Sequence, residues 1–142
     1  MLAASEVITV PKRDDLMLPV LSFAREKHLG ESSDVFNVRW TFDFLIDELD
    51  LPKNVMDVKI KSGSSKFESN VRWAIKYLKE AKLLKNVNRG NYKITKRGLK
   101  VLAKNPRRLN TESLKEFREF REYLGRKYKR DNVQDDQQSK LM

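Results

Sequence analysis

"SSKFESNVRWAIKYLKEAKLLKNVNRGNYKIT", Ser64 to Thr95, reads as a helix followed at once by a hairpin. Ser65-Lys66-Phe67-Glu68 matches a capping box, in which the serine and glutamate side chains satisfy N–H groups left unpartnered at a helix start. At about 100° per residue, Phe67, Val71, Ala74, Ile75, Leu78 and Ala81 gather on one face. Ser69, Arg72, Lys76 and Lys79 fall on the opposite side, with Trp73 at the margin. One face builds a core and the other is basic, as a helix laid in a DNA groove requires.

Two short strand-like runs follow, Leu83 to Val87 and Asn91 to Thr95, around Asn88-Arg89-Gly90. Gly90 can supply the positive φ of a turn, and the flanking asparagines tolerate it. This predicts a β-hairpin with a loop of two to four residues. Thr95 is placed to cap a short helix, Lys96 to Lys104, which Asn105-Pro106 ends.

Upstream, Asp14-Asp15 precede Leu16, Val20, Phe23 and Ala24, spaced for one helical face, and Pro19 is expected near the first turn. A second helix is predicted from Asn37 to Leu49, with Val38, Trp40, Phe44, Leu45 and Leu49 as its apolar residues and Leu51-Pro52 as its stop. Its acids, Asp43, Asp47 and Glu48, set it to face away from a polyanion. Downstream, a helix from Thr111 to Lys127 carries Leu114, Phe117, Phe120, Leu124 and Tyr128 on one stripe. That stripe suits packing on the domain, with a dimer seam as the alternative. Residues 129–142 are polar and aperiodic and are expected to be a disordered tail; residues 1–10 read as an N-terminal arm.

Three helices and then a hairpin describe a winged helix, a helix-turn-helix variant in which the hairpin is the wing. The predicted class is therefore mainly α with a small β-hairpin. It comprises a winged-helix domain over 11–108 and a C-terminal helix over 109–128.

Charge agrees with this order. Met1 to Lys61 carries 8 Lys/Arg against 11 Asp/Glu, whereas Ser62 to Arg108 carries 14 against only Glu68 and Glu80. Leu109 to Met142 is nearly balanced, 8 against 7, so the net charge of +10 comes from the middle block. Such concentration implies a polyanionic partner, with double-stranded DNA foremost. The block is not one amphipathic basic helix, which argues against a membrane surface.

Composition narrows the chemistry. With 142 residues and 39% hydrophobic content, the chain is long enough for one modest core. It has no cysteine and one histidine, His28, which rules out thiol chemistry and multi-His/Cys zinc motifs. No apolar run reaches membrane-spanning length and the start lacks signal-peptide order, so a cytoplasmic location is expected. No cofactor or metal is expected.

The candidate DNA contacts on the third helix and its start are Ser64, Ser65, Lys66, Ser69, Asn70, Arg72, Trp73, Lys76 and Lys79. Ser64 to Lys66 are included because unpaired N–H groups at a helix start favour anions. Trp73 is expected to pack under the wing, with base or sugar stacking as the alternative. The wing candidates are Lys85, Asn88, Arg89, Gly90, Asn91 and Lys93. Lys96 and Arg97 extend the positive field as possible backbone contacts.

Val71, Trp73-Ala74, Tyr77-Leu78, Ala81, Leu83-Leu84, Arg89-Gly90, Tyr92, Ile94-Thr95, Gly98 and Leu102 together resemble the Mrr N-terminal domain family. "DDLMLPVL" (Asp14 to Leu21) and "KSG" (Lys61 to Gly63) are similar to its first helix and its loop before the third helix. The resemblance covers roughly Pro11 to Phe120. It implies a winged-helix DNA-binding domain, the target-binding half of Mrr-type restriction proteins that cut modified foreign DNA. In that family the nuclease is a separate C-terminal domain. Arg72 and Ile75 depart from the small or polar residues of the family pattern, which leaves base preference open.

No nuclease is expected within this chain. Asp57-Val58-Lys59 and Glu80-Ala81-Lys82 match the (D/E)xK half of a nuclease motif only superficially, because each lacks a converging carboxylate. The expectation is a non-enzymatic DNA-binding module, with a separate nuclease subunit as a possible partner. A winged-helix transcriptional regulator and a protein-interaction module are the alternatives.

Overall fold

The computed structural model describes residues 8–30 and 33–141, the last eleven for their backbone only. Helix α1 (Arg13–Leu29) is followed by a two-residue strand β1 (Phe36–Asn37) and helix α2 (Val38–Glu48). A 3-10 turn (Lys53–Asp57) leads to α3 (Lys66–Glu80), then β2 (Leu84–Asn88) and β3 (Asn91–Ile94). Helices α4 (Lys96–Ala103), α5 (Thr111–Leu114) and α6 (Arg118–Leu141) complete the chain.

Helices α1 and α3 form the centre. Leu16, Met17, Val20 and Leu21 of α1 meet Phe67, Val71, Ala74, Ile75 and Leu78 of α3, and all nine are buried. Each such side chain contributes about 1.5–3 kcal/mol on leaving water, so the apolar stripe of α3 holds that helix in a fixed rotation. Its polar side faces solvent as a consequence. Leu45 of α2 and Leu84 and Ile94 of the hairpin close the same core.

The hairpin pairs Leu84 with Ile94 and Asn86 with Tyr92, and a bulge at Val87 precedes the Asn88–Asn91 pair. Arg89-Gly90 is thus a two-residue turn, and Gly90 adopts φ +80°, where a side chain would be strained. Strand β1 covers the outer edge of β3, giving a three-stranded sheet in the order β1-β3-β2. The expected architecture of three helices and a wing is present.

Several expectations are corrected. Strand β1 was missed because two residues carry no periodicity. Pro19 lies at the seventh residue of α1, in the helix interior, where it forgoes a ladder hydrogen bond. The predicted C-terminal helix is broken at Lys115–Phe117, between α5 and α6. Residues 129–141, expected to be disordered, continue α6 as helix; they contain no Pro or Gly to stop it. Met1 to Val7, most of the expected arm, and Met142 lie outside the described residues. Of the rest of the arm, Val10 is buried in the core.

Candidate nucleic-acid interface

Ser65 caps α3, its Oγ accepting from the Glu68 N–H at 3.3 Å. The reciprocal half of the predicted capping box is not made. The Lys66 N–H donates to the Val58 carbonyl at 2.8 Å, and Lys59 pairs with Ser65 in an isolated bridge. The helix start therefore spends these donors on the preceding loop, and Ser65 is itself buried. The Lys66 and Glu68 N–H groups, expected to face a phosphate, thus have partners within the chain. Ser64 and the Lys66 side chain are exposed.

Along the solvent side of α3 runs a groove of about 450 Å³, lined by Ile60, Ser64, Ser65, Glu68, Ser69, Arg72, Trp73 and Lys76. Ser69, Arg72, Trp73 and Lys76 are brought together as predicted, with Ser69 and Lys76 each three or four residues from the adjacent pair Arg72-Trp73. Asn70 is not part of it: its Nδ2 donates to the Pro11 carbonyl at 2.9 Å, tying α3 to the approach of α1. That side chain serves as a structural tie outside the groove.

Trp73 does not pack under the wing. It is 43% exposed and stands edge-on to Tyr77, with Lys127 of α6 over its ring at 5.1 Å. Lys76 bridges Glu80 at 3.3 Å and lies 5.6 Å from the centre of the Tyr123 ring. Arg72 reaches over Phe42 of α2, 5.4 Å from the ring centre. Lys79 lies 4.0 Å from the same Glu80 carboxylate oxygen and is not part of the groove lining. With Lys82, Lys85 and Asn86 it lines a second hollow, of about 330 Å³, where the end of α3 meets the base of the wing.

The wing is short and internally tied. Asn86 Nδ2 donates to the Asn88 carbonyl at 2.9 Å and the Asn91 carbonyl at 3.1 Å, and Asn91 Nδ2 donates to Asn88 Oδ1. The side chains of Asn88 and Asn91 thus also shape the turn. The Gly90 carbonyl accepts from the Val38 N–H at 3.2 Å, docking the tip beside the start of α2. Arg89 remains exposed at that tip, as does Lys85 on β2. Lys93 lies 3.9 Å from Asp34 and is half-buried.

Lys96 is exposed at the start of α4, whereas Arg97 is engaged within the chain. Its guanidinium donates to the Ala81 carbonyl and to Glu119 Oε1, both at 2.9 Å, and to Glu119 Oε2 at 3.2 Å. This holds the Glu119 carboxyl far below its ordinary value, at about 2. Arg97 locks α4, the end of α3 and α6 together, and the sequence gives no hint of it because Glu119 lies 22 residues away.

Three acids on and just after α2 lie apart from the α3 groove. Asp43, Asp47 and Asp50 line a hollow that includes no residue of α3, as the composition of α2 implies. Glu80 is engaged by Lys76 at 3.3 Å, and Asp57 ends the 3-10 turn. Sequence reasoning missed Glu68, Ile60, Lys82, Lys127 and Arg130 as lining residues. The helical wheel could have offered Glu68; the α6 residues depend on packing alone.

The model of a family described as the Mrr N-terminal domain matches residues 14–104, from α1 to the end of α4. No curated protein and no solved structure matches the chain. The matched span is about two-thirds of the chain and contains every element of the winged-helix arrangement. The chain belongs to the Mrr N-terminal domain family.

Proposed function

We propose that this chain is a duplex-DNA-binding module, the target-recognition part of an Mrr-type restriction system, which does not itself cut DNA. The observation that carries the reading is the groove on α3. A rigidly held helix presents Ser69, Arg72, Trp73 and Lys76 to solvent inside a 47-residue block with 14 Lys/Arg and two acids. Phosphate contacts come from Lys76, Lys85, Lys96 and Arg89, and base contacts from the groove itself.

Within the groove Arg72 can donate to guanine O6 and N7, and Glu68 can accept from the exocyclic amine of cytosine. Trp73 and Ile60 supply the apolar wall against which a base methyl group would sit. A cation-lined groove with an apolar wall fits a modified duplex better than a simple phosphate track.

Fluorescence-anisotropy titration tests this, using duplexes that are unmodified or carry methylcytosine, hydroxymethylcytosine or methyladenine, each at several salt concentrations. A steep salt dependence is expected, with tighter binding to one modified duplex. Absence of binding at low salt would overturn the DNA reading and favour an acidic protein partner on the same surface.

A further inference from the structure

We infer that α6 forms a second wall of the interface, in which Lys127 and Arg130, together with Lys76 of α3, clamp a phosphate of the duplex beside the α3 groove. The inference rests on the DNA-binding reading above. It concerns a helix beyond residues 14–104, the span matched by the family.

Helix α6 is fixed against α3 by aromatic packing. Phe120 is fully buried, and Phe120 and Tyr123 meet the Tyr77 ring edge-on at 5.3 and 5.8 Å. The next turn of α6 then overhangs the solvent side of α3. There Trp73, Lys76, Tyr123, Lys127 and Arg130 enclose a cleft of about 300 Å³. Trp73 and Lys76 line both this cleft and the α3 groove, so the two form one continuous surface. A backbone seated along Ser69, Arg72 and Lys76 meets Lys127 and Arg130 next.

The charge of this part of α6 suits a phosphate. Two acids of α6 upstream are already engaged, Glu119 by Arg97 at 2.9 Å and Glu122 by Arg118 at 3.6 Å. Tyr123 to Arg130, "YLGRKYKR", then contributes four cations and no acid. Lys127 is held in place by the Tyr77 hydroxyl, 3.3 Å from its Nζ, and by the Trp73 ring. A cation already ordered loses little further freedom when it binds. Three cations around an aromatic floor, of which Lys76 also bridges Glu80 at 3.3 Å, are open to solvent and joined to the groove, and match the anionic edge of a duplex.

The test is anisotropy on the full chain with the double variant Lys127→Gln/Arg130→Gln and with Arg130→Gln alone, alongside Arg89→Ala. The double variant is expected to bind roughly tenfold more weakly at low salt, with a salt slope smaller by about 2 and an unchanged order of sequence preference. Arg130→Gln, whose side chain is exposed, is expected to lower the slope by about 1 without changing the melting temperature. Wild-type affinity and slope in both, with Arg89→Ala still weakened, would overturn the clamp and leave the DNA reading standing. Tighter binding would also overturn it, since α6 would then be shielding the groove. If the wild-type chain binds no duplex, the DNA reading itself fails.

Discussion

Gly98 lies directly against the Leu83 carbonyl. A Cβ added to it would stand 2.6 Å from Ile94 Cγ1 and closer still to the Leu83 oxygen. Thr95 explains the approach: its hydroxyl donates to the Lys82 carbonyl at 2.6 Å and accepts from the Gly98 N–H at 3.1 Å, drawing the first turn of α4 onto the hairpin base. Gly98→Ala is expected to cost about 1–3 kcal/mol through overpacking, lowering Tm by roughly 3–6 °C per kcal/mol. A thermal melt matching the wild type would show that α4 can shift without cost.

Arg89 sits at a tip that the Gly90–Val38 hydrogen bond holds in place. Under the proposed DNA-binding function, a cation on this fixed, exposed turn would be a phosphate contact. Arg89→Ala is expected to weaken binding to all duplexes alike and to reduce the salt slope by about 1. A changed sequence preference would instead mean that the wing reads bases.

Glu68 is a carboxylate inside a basic groove, so its removal separates attraction from readout. Glu68→Gln is expected to relax discrimination at one base position by about 1–3 kcal/mol, while overall affinity for random duplex holds or rises as a negative charge is lost. Competition binding against a base-substituted series measures this. Uniform weakening across the series would place Glu68 in a structural role.

The Arg97 hydrogen bonds hold Glu119 at about 2, below the 4.5 of an unconstrained glutamate. A lowered folded pKa contributes stability that is fully present above about 4.5 and is lost as pH falls through about 2. Burial acts to raise the Asp14 pKa, but hydrogen bonds from Thr111 and Arg13 outweigh it and the net direction is down, so Asp14 adds with the same sign. These two acids tie α6 and α5 to the domain, so acid should loosen the C-terminal elements. Thermal melts between pH 7 and pH 2 are expected to show a smaller loss in Arg97→Ala than in the wild type. Equal losses would place the acid sensitivity elsewhere.

The sequence disclosed the frame because burial is periodic: the apolar stripe of α3, the Arg89-Gly90 turn and the Thr95 cap each leave a local pattern. The groove residues Ser69, Arg72 and Lys76 follow from the same wheel. Long-range partnerships leave no such pattern. Asn70 donates to the Pro11 carbonyl 59 positions earlier, and Arg97 to Glu119 22 positions later. Trp73 was expected to meet the wing and instead meets Lys127, 54 positions along the chain, because Tyr77 anchors α6 beside it.

The most direct measurement is two-dimensional amide NMR of the isotopically labelled chain, titrated with a short duplex in low salt. The proposed interface is expected to shift the amides of Ser69, Arg72, Trp73, Lys76 and Arg89, and to leave those of Asp43, Asp47 and Glu48 on α2 in place. Shifts concentrated on the acidic side of α2, or a spectrum unchanged at saturating duplex, would contradict DNA binding through α3.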